Sequence, residues 1–273
     1  MLAGRISKMR GYSTPELLEA LLRTIADPSA VGCAGAWALD FDQAHEPRVV
    51  LLSSLAGAPE RAPAEDEIFI WLGSAEAGCD HQFLAPEHLG DDIFAQAMRL
   101  RRDSDRRSFI VAHAALRHML ANVAGIPQSS LRIWRDENGK PHLANRECDA
   151  PPIHFNVSHT NGLAAVAIAG HPVGIDVEAM RDIVDMTSLA QSVLAPESIA
   201  ALHAASENDR RALFFRFWCL GEAFIKATGI GMGLDLASFA FTPAGVPKLT
   251  RISRGWGPIE RWRFGLLHPD RTE

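Results

Sequence analysis

The pattern of apolar positions changes its period between the middle and the end of this chain. An unbroken apolar run covers Leu163–Ala169, a Gly-His-Pro interruption follows, and apolar and polar residues then alternate over Val173–Glu178. A run and an alternating segment separated by a turn signal predict a β-hairpin. Farther along, apolar side chains recur every three or four residues over Asp209–Thr228, and Gly229 follows as a stop signal. This second pattern predicts a helix.

The alternation in the second predicted strand determines where its acidic residues point. Ile175 and Val177 are expected to face inward, and Asp176 and Glu178 to share the outer face. Two carboxylates at i and i+2 on one strand face are able to bind one cation. Their ordinary role is to form the solvated face of an amphipathic strand. The alternation by itself leaves both interpretations open.

The predicted helix carries a polar pair on one stripe. Trp218, Glu222 and Lys226 follow one another at four-residue spacing. A Glu and a Lys at i and i+4 are also an ordinary surface ion pair, which contributes about 0.2–0.5 kcal/mol. Taken with the acidic strand, however, the helix completes a set of three carboxylates and one ammonium. Such a set is able to hold a divalent cation and a phosphate together.

Other elements precede these two. The same pattern analysis predicts helices, strands and a linker in the first half of the chain. In order they are a helix over Ser13–Ile25, a strand over Val49–Leu52, a linker over Ala56–Asp66, a strand over Ile68–Leu72, a helix opening at Leu84–Glu87, and a long helix over Asp105–Val123.

Composition excludes some classes of protein. The formal net charge is −6, which disfavours a dedicated nucleic-acid binder because such proteins usually present a basic face. The four cysteines are widely spaced without a CxxC motif, so neither a zinc site nor a disulfide framework is indicated. Reduced thiols are consistent with a cytoplasmic location. We find no apolar stretch long enough to span a membrane and no signal-peptide pattern, so no membrane partner is expected.

Four short motifs occur in a characteristic order: Asn138–Pro141, Phe155–Thr160, Gly174–Glu178 and Trp218–Lys226, the last followed by Gly229. In this order they resemble the 4′-phosphopantetheinyl transferases, and most closely the larger, Sfp-type class. The resemblance extends over about residues 67–267 and is sharp at the motifs themselves.

The resemblance implies an α+β fold with two pseudo-symmetric subdomains. Each subdomain would be a small sheet packed with helices, and the cleft between them would hold the active site. On this basis residues 67–160 form the first half and residues 161–267 form the second half, which carries the metal site. Residues 1–66 remain an unassigned N-terminal extension and linker, and residues 268–273 form a C-terminal tail.

The resemblance also implies a reaction. The 4′-phosphopantetheine group of coenzyme A would be transferred to a serine hydroxyl of an apo acyl or peptidyl carrier protein, with release of 3′,5′-ADP. Asp176, Glu178 and Glu222 would bind Mg²⁺, with Mn²⁺ as the other candidate ion, and a monomer is expected. Glu222 and Lys226 would be the catalytic residues, with either Glu222 or a metal-bound water accepting the serine proton.

Further residues are implied to bind coenzyme A. They belong to the loop after the long helix, to the strand before the acidic pair, to the helix that carries Glu222, and to the long helix itself. On the long helix several arginines are candidates, because its register is not known. Without the resemblance, the loop would be an ordinary β-turn, the histidine a structural residue, and the arginines a solvated helix face. The assigned residues are Gly139, Lys140, Pro141, Ser158, His159, Lys226 and, on the long helix, Arg107 with Ser108.

One departure from the family pattern affects the expected activity. The family commonly has a lysine just before the metal-binding glutamate of the helix, whereas this chain has Gly221. We expect Gly221→Lys to be tolerated or to raise activity. The departure also keeps open a catalytically weak relative that binds coenzyme A or carrier proteins without efficient transfer. The three carboxylates leave open a second alternative, a different metal-dependent phosphotransferase or nuclease.

Overall fold

The computed structural model describes residues 32–52, 54–75, 89–144, 150–252 and 258–267 of the 273-residue chain. Within these residues, helices and strands alternate irregularly along the sequence. The strands are β1 Cys33–Asp40, β2 Arg48–Leu52, β3 Glu67–Ser74, β4 Ile133–Arg135, β5 Pro141–Leu143, β6 His154–Thr160, β7 Leu163–Ala169, β8 Val173–Ala179, β9 Phe239–Phe241, β10 Leu249–Ile252 and β11 Trp262–Leu267. The α-helices are α1 Asp91–Ala97, α2 Asp103–Ala124, α3 Met186–Val193, α4 Pro196–Ala204 and α5 Glu207–Thr228.

Two larger sheets form the framework. The first contains four strands in the order β2-β3-β7-β6, and the second contains three in the order β11-β1-β8. β2 runs parallel to β3, and the remaining pairs in the two sheets are antiparallel. β4 pairs with β5, and β9 pairs with β10, as separate two-stranded hairpins.

The two sheets pack face to face, and a long helix covers the outer face of each. Side chains of β1 and β8, such as Leu39 and Ile175, meet those of β3 and β7, such as Ile70 and Ala167, in the layer between the sheets. The helix α2 packs on the first sheet and α5 on the second, each with its own apolar cluster. The predicted α+β fold with one helix-covered sheet in each half is therefore confirmed.

The helix α5 has the boundaries that its sequence signals require. At its start, the side chain of Ser206 accepts a hydrogen bond from the backbone N–H of Asp209. At its end, Gly229 adopts a φ of 77°, the left-handed conformation that favours glycine after a helix. The predicted stop at Gly229 is confirmed. No helix among the described residues combines the length and apolar character that crossing a membrane requires.

The predicted hairpin is wrong. β7 pairs with β3 and β6 in the first sheet, whereas β8 pairs with β1 in the second, so Gly170–Pro172 connects two sheets. The alternation of β8 correctly indicated which residues share a face, but both of its faces are covered. Asp176 and Glu178 consequently lie under α5 instead of on a solvated face.

The predicted division into halves stays a prediction, but the pairing of the strands bears on where its boundary falls. A boundary between residues 160 and 161 separates β6 from β7, which the structure pairs over seven positions. The N-terminal residues that the sequence left unassigned include β1, which lies between β8 and β11 in the second sheet. The predicted helix over Ser13–Ile25, the helix opening at Leu84–Glu87 and the tail 268–273 lie outside the described residues.

Candidate active site

A close approach between α5 and the second sheet creates the site. Gly174 of β8 lies directly beneath the helix, where a Cβ atom would collide with Ala223 O and lie 2.5 Å from Ala227 N. The neighbouring strand β1 presents Ala36 and Ala38 to the same helix. Because these residues are so small, the backbone of α5 comes down onto the strand that carries the acidic pair.

This approach buries all three predicted carboxylates. Asp176 is 3% exposed, Glu178 is 9% exposed and Glu222 is 2% exposed. Burying a charged carboxylate is costly unless a cation or hydrogen-bond donors compensate for the lost hydration. Three such groups in one interface therefore indicate a site for positive charge.

Lys226 supplies one positive charge from α5. Its Nζ atom donates to Asp176 Oδ1 at 2.7 Å, to Ile175 O at 2.9 Å and to Ser158 Oγ at 3.1 Å. An ammonium group has three hydrogens, so these partners use its full donor capacity. The structure thus brings Asp176 and Lys226 together, as predicted, and adds Ser158 to them.

The surroundings of Glu178, the second carboxylate of β8, disfavour its charged form. Burial, and then the nearby carboxylate of Asp176, raise the pKa of Glu178 to about 7. Thr160 Oγ1 is its nearest hydroxyl donor, at 3.5 Å from Oε2. The buried thiol of Cys219 lies in the same environment, and burial followed by the charges of Asp176 and Glu178 raises its pKa well above the usual value.

A cavity of about 1020 Å³ opens above this network, between the two halves. Glu222 and Lys226 line it from α5, and His159 lines it from β6. The predicted loop residues Gly139, Lys140 and Pro141 also line it. The structure therefore places these predicted site residues at one cleft, with Asp176 directly behind Lys226.

Two histidines form an aromatic wall of the cavity. The ring of Phe109 lies 4.2 Å from that of His113 and 5.5 Å from that of His159, measured between centroids. Burial, and then the positive charge of Lys226, lower the pKa of His159 to about 4. Burial, followed by His159 and Arg135, lowers the pKa of His113 to about 3. Both rings are therefore neutral at pH 7 in the absence of an anion.

The Asn138–Pro141 loop has the turn that its glycine predicted. Gly139 has a φ of 84°, and Asp136 Oδ1 accepts from the backbone N–H groups of Asn138 and Lys140. Lys140, however, does more than line the cavity. Its Nζ donates to the carbonyl oxygens of Lys226 at 3.1 Å and Ala227 at 2.7 Å, so it caps the end of α5.

The predicted contribution of Arg107 and Ser108 is not supported by their positions. Neither is among the described residues that line the cavity. Arg107 is exposed, and the buried hydroxyl of Ser108 accepts a hydrogen bond from Gly162 N in the β6–β7 turn. The face of α2 that reaches the cavity begins one residue later, at Phe109.

Sequence reasoning missed the basic side chains that do line the cavity. Arg117 lies on α2, and Arg132 and Arg135 lie at the β4–β5 hairpin. The spacing of Phe109, His113 and Arg117 at four residues along a helix was the available signal, because such residues share one face.

Gly221 has a packing role that the sequence did not reveal. A Cβ atom there would overlap with Leu236 Cδ2 and lie 3.3 Å from Phe239 Cε2. The position points away from the cavity into the core behind α5. This position does not support the expectation that Gly221→Lys is tolerated, because a lysine would enter this core without reaching the cavity.

The carboxylates of Asp176, Glu178 and Glu222 are suitable ligands for a hard cation, although their positions do not form a complete metal site. Carboxylate oxygens are the ligands that Mg²⁺ prefers. Among the described residues no hydrogen-bond donor reaches the buried Asp176 Oδ2. Within those same residues, no three His, Cys, Asp or Glu side chains are close enough to form a ready metal site. Lys226 instead satisfies the other oxygen of Asp176.

Comparison with known proteins agrees with this arrangement. The family model for the 4′-phosphopantetheinyl transferase superfamily matches residues 172–270, and the model for the N-terminal part of a 4′-phosphopantetheinyl transferase matches residues 82–172. The two matches meet at the connection between β7 and β8, where the chain passes from the first sheet to the second.

Individual relatives carry the same description. The 4′-phosphopantetheinyl transferase HetI of Nostoc sp. is 30% identical over 205 residues, covering 74% of this chain and 85% of HetI. The transferase Gsp of Aneurinibacillus migulanus is 32% identical over 48% of this chain and 52% of its own length. Sfp of Bacillus subtilis is 26% identical over 58% of this chain and 66% of its own length. This chain therefore belongs to the 4′-phosphopantetheinyl transferase superfamily, as an Sfp-like enzyme.

Proposed function

We propose that this enzyme transfers the 4′-phosphopantetheine group of coenzyme A to a serine hydroxyl of an apo carrier protein, releasing 3′,5′-ADP. The observation that carries the proposal is the ion pair of Lys226 with buried Asp176 at the floor of the cavity. Around it lie the other two carboxylates of a set suited to Mg²⁺ or Mn²⁺. This is the combination that a pyrophosphate with its cation requires.

The charge of the cavity supports an anionic substrate. Five basic and two acidic side chains line it, although the chain as a whole has a net charge of −6. Its volume of about 1020 Å³ is at the upper end for small-molecule sites, which suits a large nucleotide-containing molecule. The basic residues are Arg117, Arg132, Arg135, Lys140 and Lys226.

We assign the two ends of coenzyme A to different walls. The pyrophosphate would lie at Lys226 and His159, above the carboxylates. The nucleotide phosphate would lie at Arg117, Arg132 and Arg135, which replace Arg107 in that role. An anion beside His159 would favour its protonated form, so binding below neutral pH would be accompanied by proton uptake.

The transfer step requires an attacking hydroxyl, a proton acceptor and a stabilised leaving group. The serine oxygen forms a bond to the phosphorus that carries pantetheine, and the bond from that phosphorus to the bridging oxygen breaks. Glu222 is the member of the carboxylate set that lines the cavity, so we assign it to accept the serine proton. Lys226 lines the cavity and stabilises the negative charge on the departing 3′,5′-ADP through its own positive charge, since its three hydrogens are donated to protein groups.

Asp176, Glu178 and Glu222 would hold the divalent cation. Bound there, Mg²⁺ supplies neutralisation of the pyrophosphate charge and a rigid orientation of its oxygens. The protein residues supply the remaining requirements: a closed floor, a basic wall and exclusion of water from the reacting phosphorus.

Intact-mass analysis of apo carrier proteins incubated with coenzyme A tests the proposal. We expect a mass gain of one phosphopantetheine group per carrier, an equal amount of 3′,5′-ADP, and loss of both with a chelator. Lys226→Met should reduce the rate by about 10²–10³-fold. The exposed Lys248→Met is the matched control and should retain the wild-type rate.

The alternatives give different results in the same assay. Binding of coenzyme A without any mass gain would identify a binding-only relative. Release of 3′,5′-ADP in the absence of a carrier would identify a hydrolase. Either result would contradict the proposed transfer.

A further inference from the structure

Ser158 occupies a position that differs from the one implied for a phosphate-binding residue. Its side chain is 2% exposed, and it is absent from the described lining of the cavity. Its neighbours Val157 and His159 do line the cavity. The strand alternation therefore turns His159 toward the substrate space and Ser158 away from it, toward β8.

The hydroxyl of Ser158 has its full hydrogen-bonding capacity in use. It donates to Asp176 Oδ1 at 3.0 Å. It accepts from the backbone N–H of Val177 at 3.3 Å and from Lys226 Nζ at 3.1 Å. A serine hydroxyl offers one hydrogen and two lone pairs, so a phosphate could bind only by displacing one of these partners.

Ser158 is also the central member of a ladder that joins the two sheets. In the described part of the chain, β8 is the last strand of its sheet, and side chains of β6 accept hydrogen bonds from its outer edge. Asn156 Oδ1 accepts from Ile175 N at 3.0 Å, and Thr160 Oγ1 accepts from Ala179 N at 3.2 Å. These contacts satisfy backbone groups that would otherwise be buried without partners.

The two features together determine what this hydroxyl does. The ladder fixes Ser158 against the backbone of β8, and Ser158 in turn contacts the carboxylate and the ammonium that the site depends on. Groups that orient metal ligands commonly contribute 10–100-fold to metal affinity or activity. Since the side chain does not reach the cavity, its effect must pass through Asp176 and Lys226.

We propose that Ser158 is a positioning residue that fixes Asp176 and Lys226 beneath the cavity, and not a residue that contacts the phosphates of the substrate. The inference rests on the proposed function for its kinetic consequence. Its consequence for cation binding depends only on the carboxylate site.

Steady-state kinetics of Ser158→Ala test the kinetic consequence. We expect kcat to fall about 10–100-fold while the KM for coenzyme A changes less than about 2-fold. Ser158→Thr keeps the hydroxyl and should restore most of kcat. A rise of tenfold in the KM for coenzyme A with kcat retained would show that Ser158 contacts the substrate, and would overturn the proposal.

Binding of Mn²⁺ to the free protein, followed by electron paramagnetic resonance, tests the second consequence without turnover. Ser158→Ala should bind Mn²⁺ about 10–100-fold more weakly than the wild type. Ser108→Ala is the matched control, since it removes another buried hydroxyl that accepts from a backbone N–H, that of Gly162, and has no described contact with the carboxylates. It should change Mn²⁺ affinity less than about 3-fold, within the variation of such measurements.

The outcomes separate this inference from the proposed function. Wild-type protein that modifies no carrier would contradict the proposed function, and the Mn²⁺ measurement would still decide the role of Ser158. Equal Mn²⁺ affinities of Ser158→Ala and wild type, or equal losses in Ser158→Ala and Ser108→Ala, would overturn the positioning role. If Ser158→Ala does not fold, Ser158→Cys replaces it, because a thiol is a weaker donor of similar shape. Its kcat and its Mn²⁺ affinity should then fall in the same direction by a smaller factor.

Discussion

The helices α2 and α5 are both 22 residues long and each covers one sheet, yet they meet their sheets in opposite ways. Beneath α2, the first sheet presents large apolar side chains such as Trp71, Val166 and Ile168. Beneath α5, the second sheet presents Gly174 and small alanines, together with two carboxylates. The first interface buries apolar side chains, as protein interiors usually do, whereas the second also buries charged side chains.

This difference indicates that the interface between α5 and the second sheet carries the functional groups. Apolar packing under α2 stabilises the fold without further requirements. Carboxylates under α5 lose their hydration and repel each other, and burial followed by the charge of Asp176 raises the pKa of Glu178. They therefore cost stability. Departures of this kind are expected where function requires them. The following experiments test the contrast, in order of decreasing expected effect.

Asp176→Asn is expected to have the largest effect, on turnover. The change removes one charge from the carboxylate set and the ion-pair partner of Lys226, so the rate should fall about 10³-fold or more. Rates of carrier modification by intact mass give the measurement. Asp103→Asn in the first turn of α2 removes an exposed ion pair with Arg106 and is the control. An equal loss in both variants would contradict the assignment.

Gly174→Ala is expected to have the largest effect on stability. The new methyl group would collide with the backbone of α5, which is unable to yield as a side-chain tip would. We expect a loss of about 3 kcal/mol or more in the free energy of unfolding, measured with urea. Gly57→Ala is the control, because nothing lies within 4 Å of its added Cβ. A stable Gly174→Ala protein would show that α5 lies farther from the sheet.

Gly221→Ala should have a smaller effect, because the group it meets is a side chain. Its methyl group would overlap with Leu236, and overpacking of this kind costs about 1–3 kcal/mol. Combined with Leu236→Ala, the total loss should be smaller than the sum of the single losses by about 1 kcal/mol. A double-mutant cycle in urea measures this coupling, and strict additivity would exclude the contact.

The pH dependence of stability should reveal the two partly buried histidines of the cavity wall, His113 and His159. The lowered pKa values of about 3 for His113 and about 4 for His159 mean that the unfolded chain binds protons first on acidification. The contribution of these two histidines to stability should therefore fall as the pH drops below about 6.5, by at most about 1.4 kcal/mol per pH unit for each group. The raised pKa of Glu178 opposes this fall with one group against two. His113→Phe should flatten this fall in urea titrations between pH 6.5 and 4, whereas exposed His203→Gln should not.

The sequence was informative where a local pattern determines the structure. The helical stripe of α5, its end at Gly229 and the shared face of Asp176 and Glu178 all follow from periodicity. The sheet that each strand joins does not, since an alternating segment such as β8 pairs equally well with several partners. The pairing of β8 with β1 depends on residues more than 130 positions away.

Roles that depend on tertiary contacts were also beyond the sequence. Lys140 caps α5 from another part of the chain, and Gly221 makes room for Leu236. Arg107 belongs to a run of arginines whose helical register the sequence leaves open. The cavity is reached instead by the face of α2 that carries His113 and Arg117.

The central claim is that one cation is held jointly by Asp176, Glu178 and Glu222, next to Lys226. Titration of the free protein with Mn²⁺, followed by electron paramagnetic resonance, tests it directly. We expect one Mn²⁺ per wild-type chain, displaced by Mg²⁺, and at least about tenfold weaker binding to Asp176→Asn. Lys226→Met should bind Mn²⁺ more tightly than wild type, because its ammonium no longer competes for Asp176 Oδ1. Equal binding by wild type and Asp176→Asn would contradict the account.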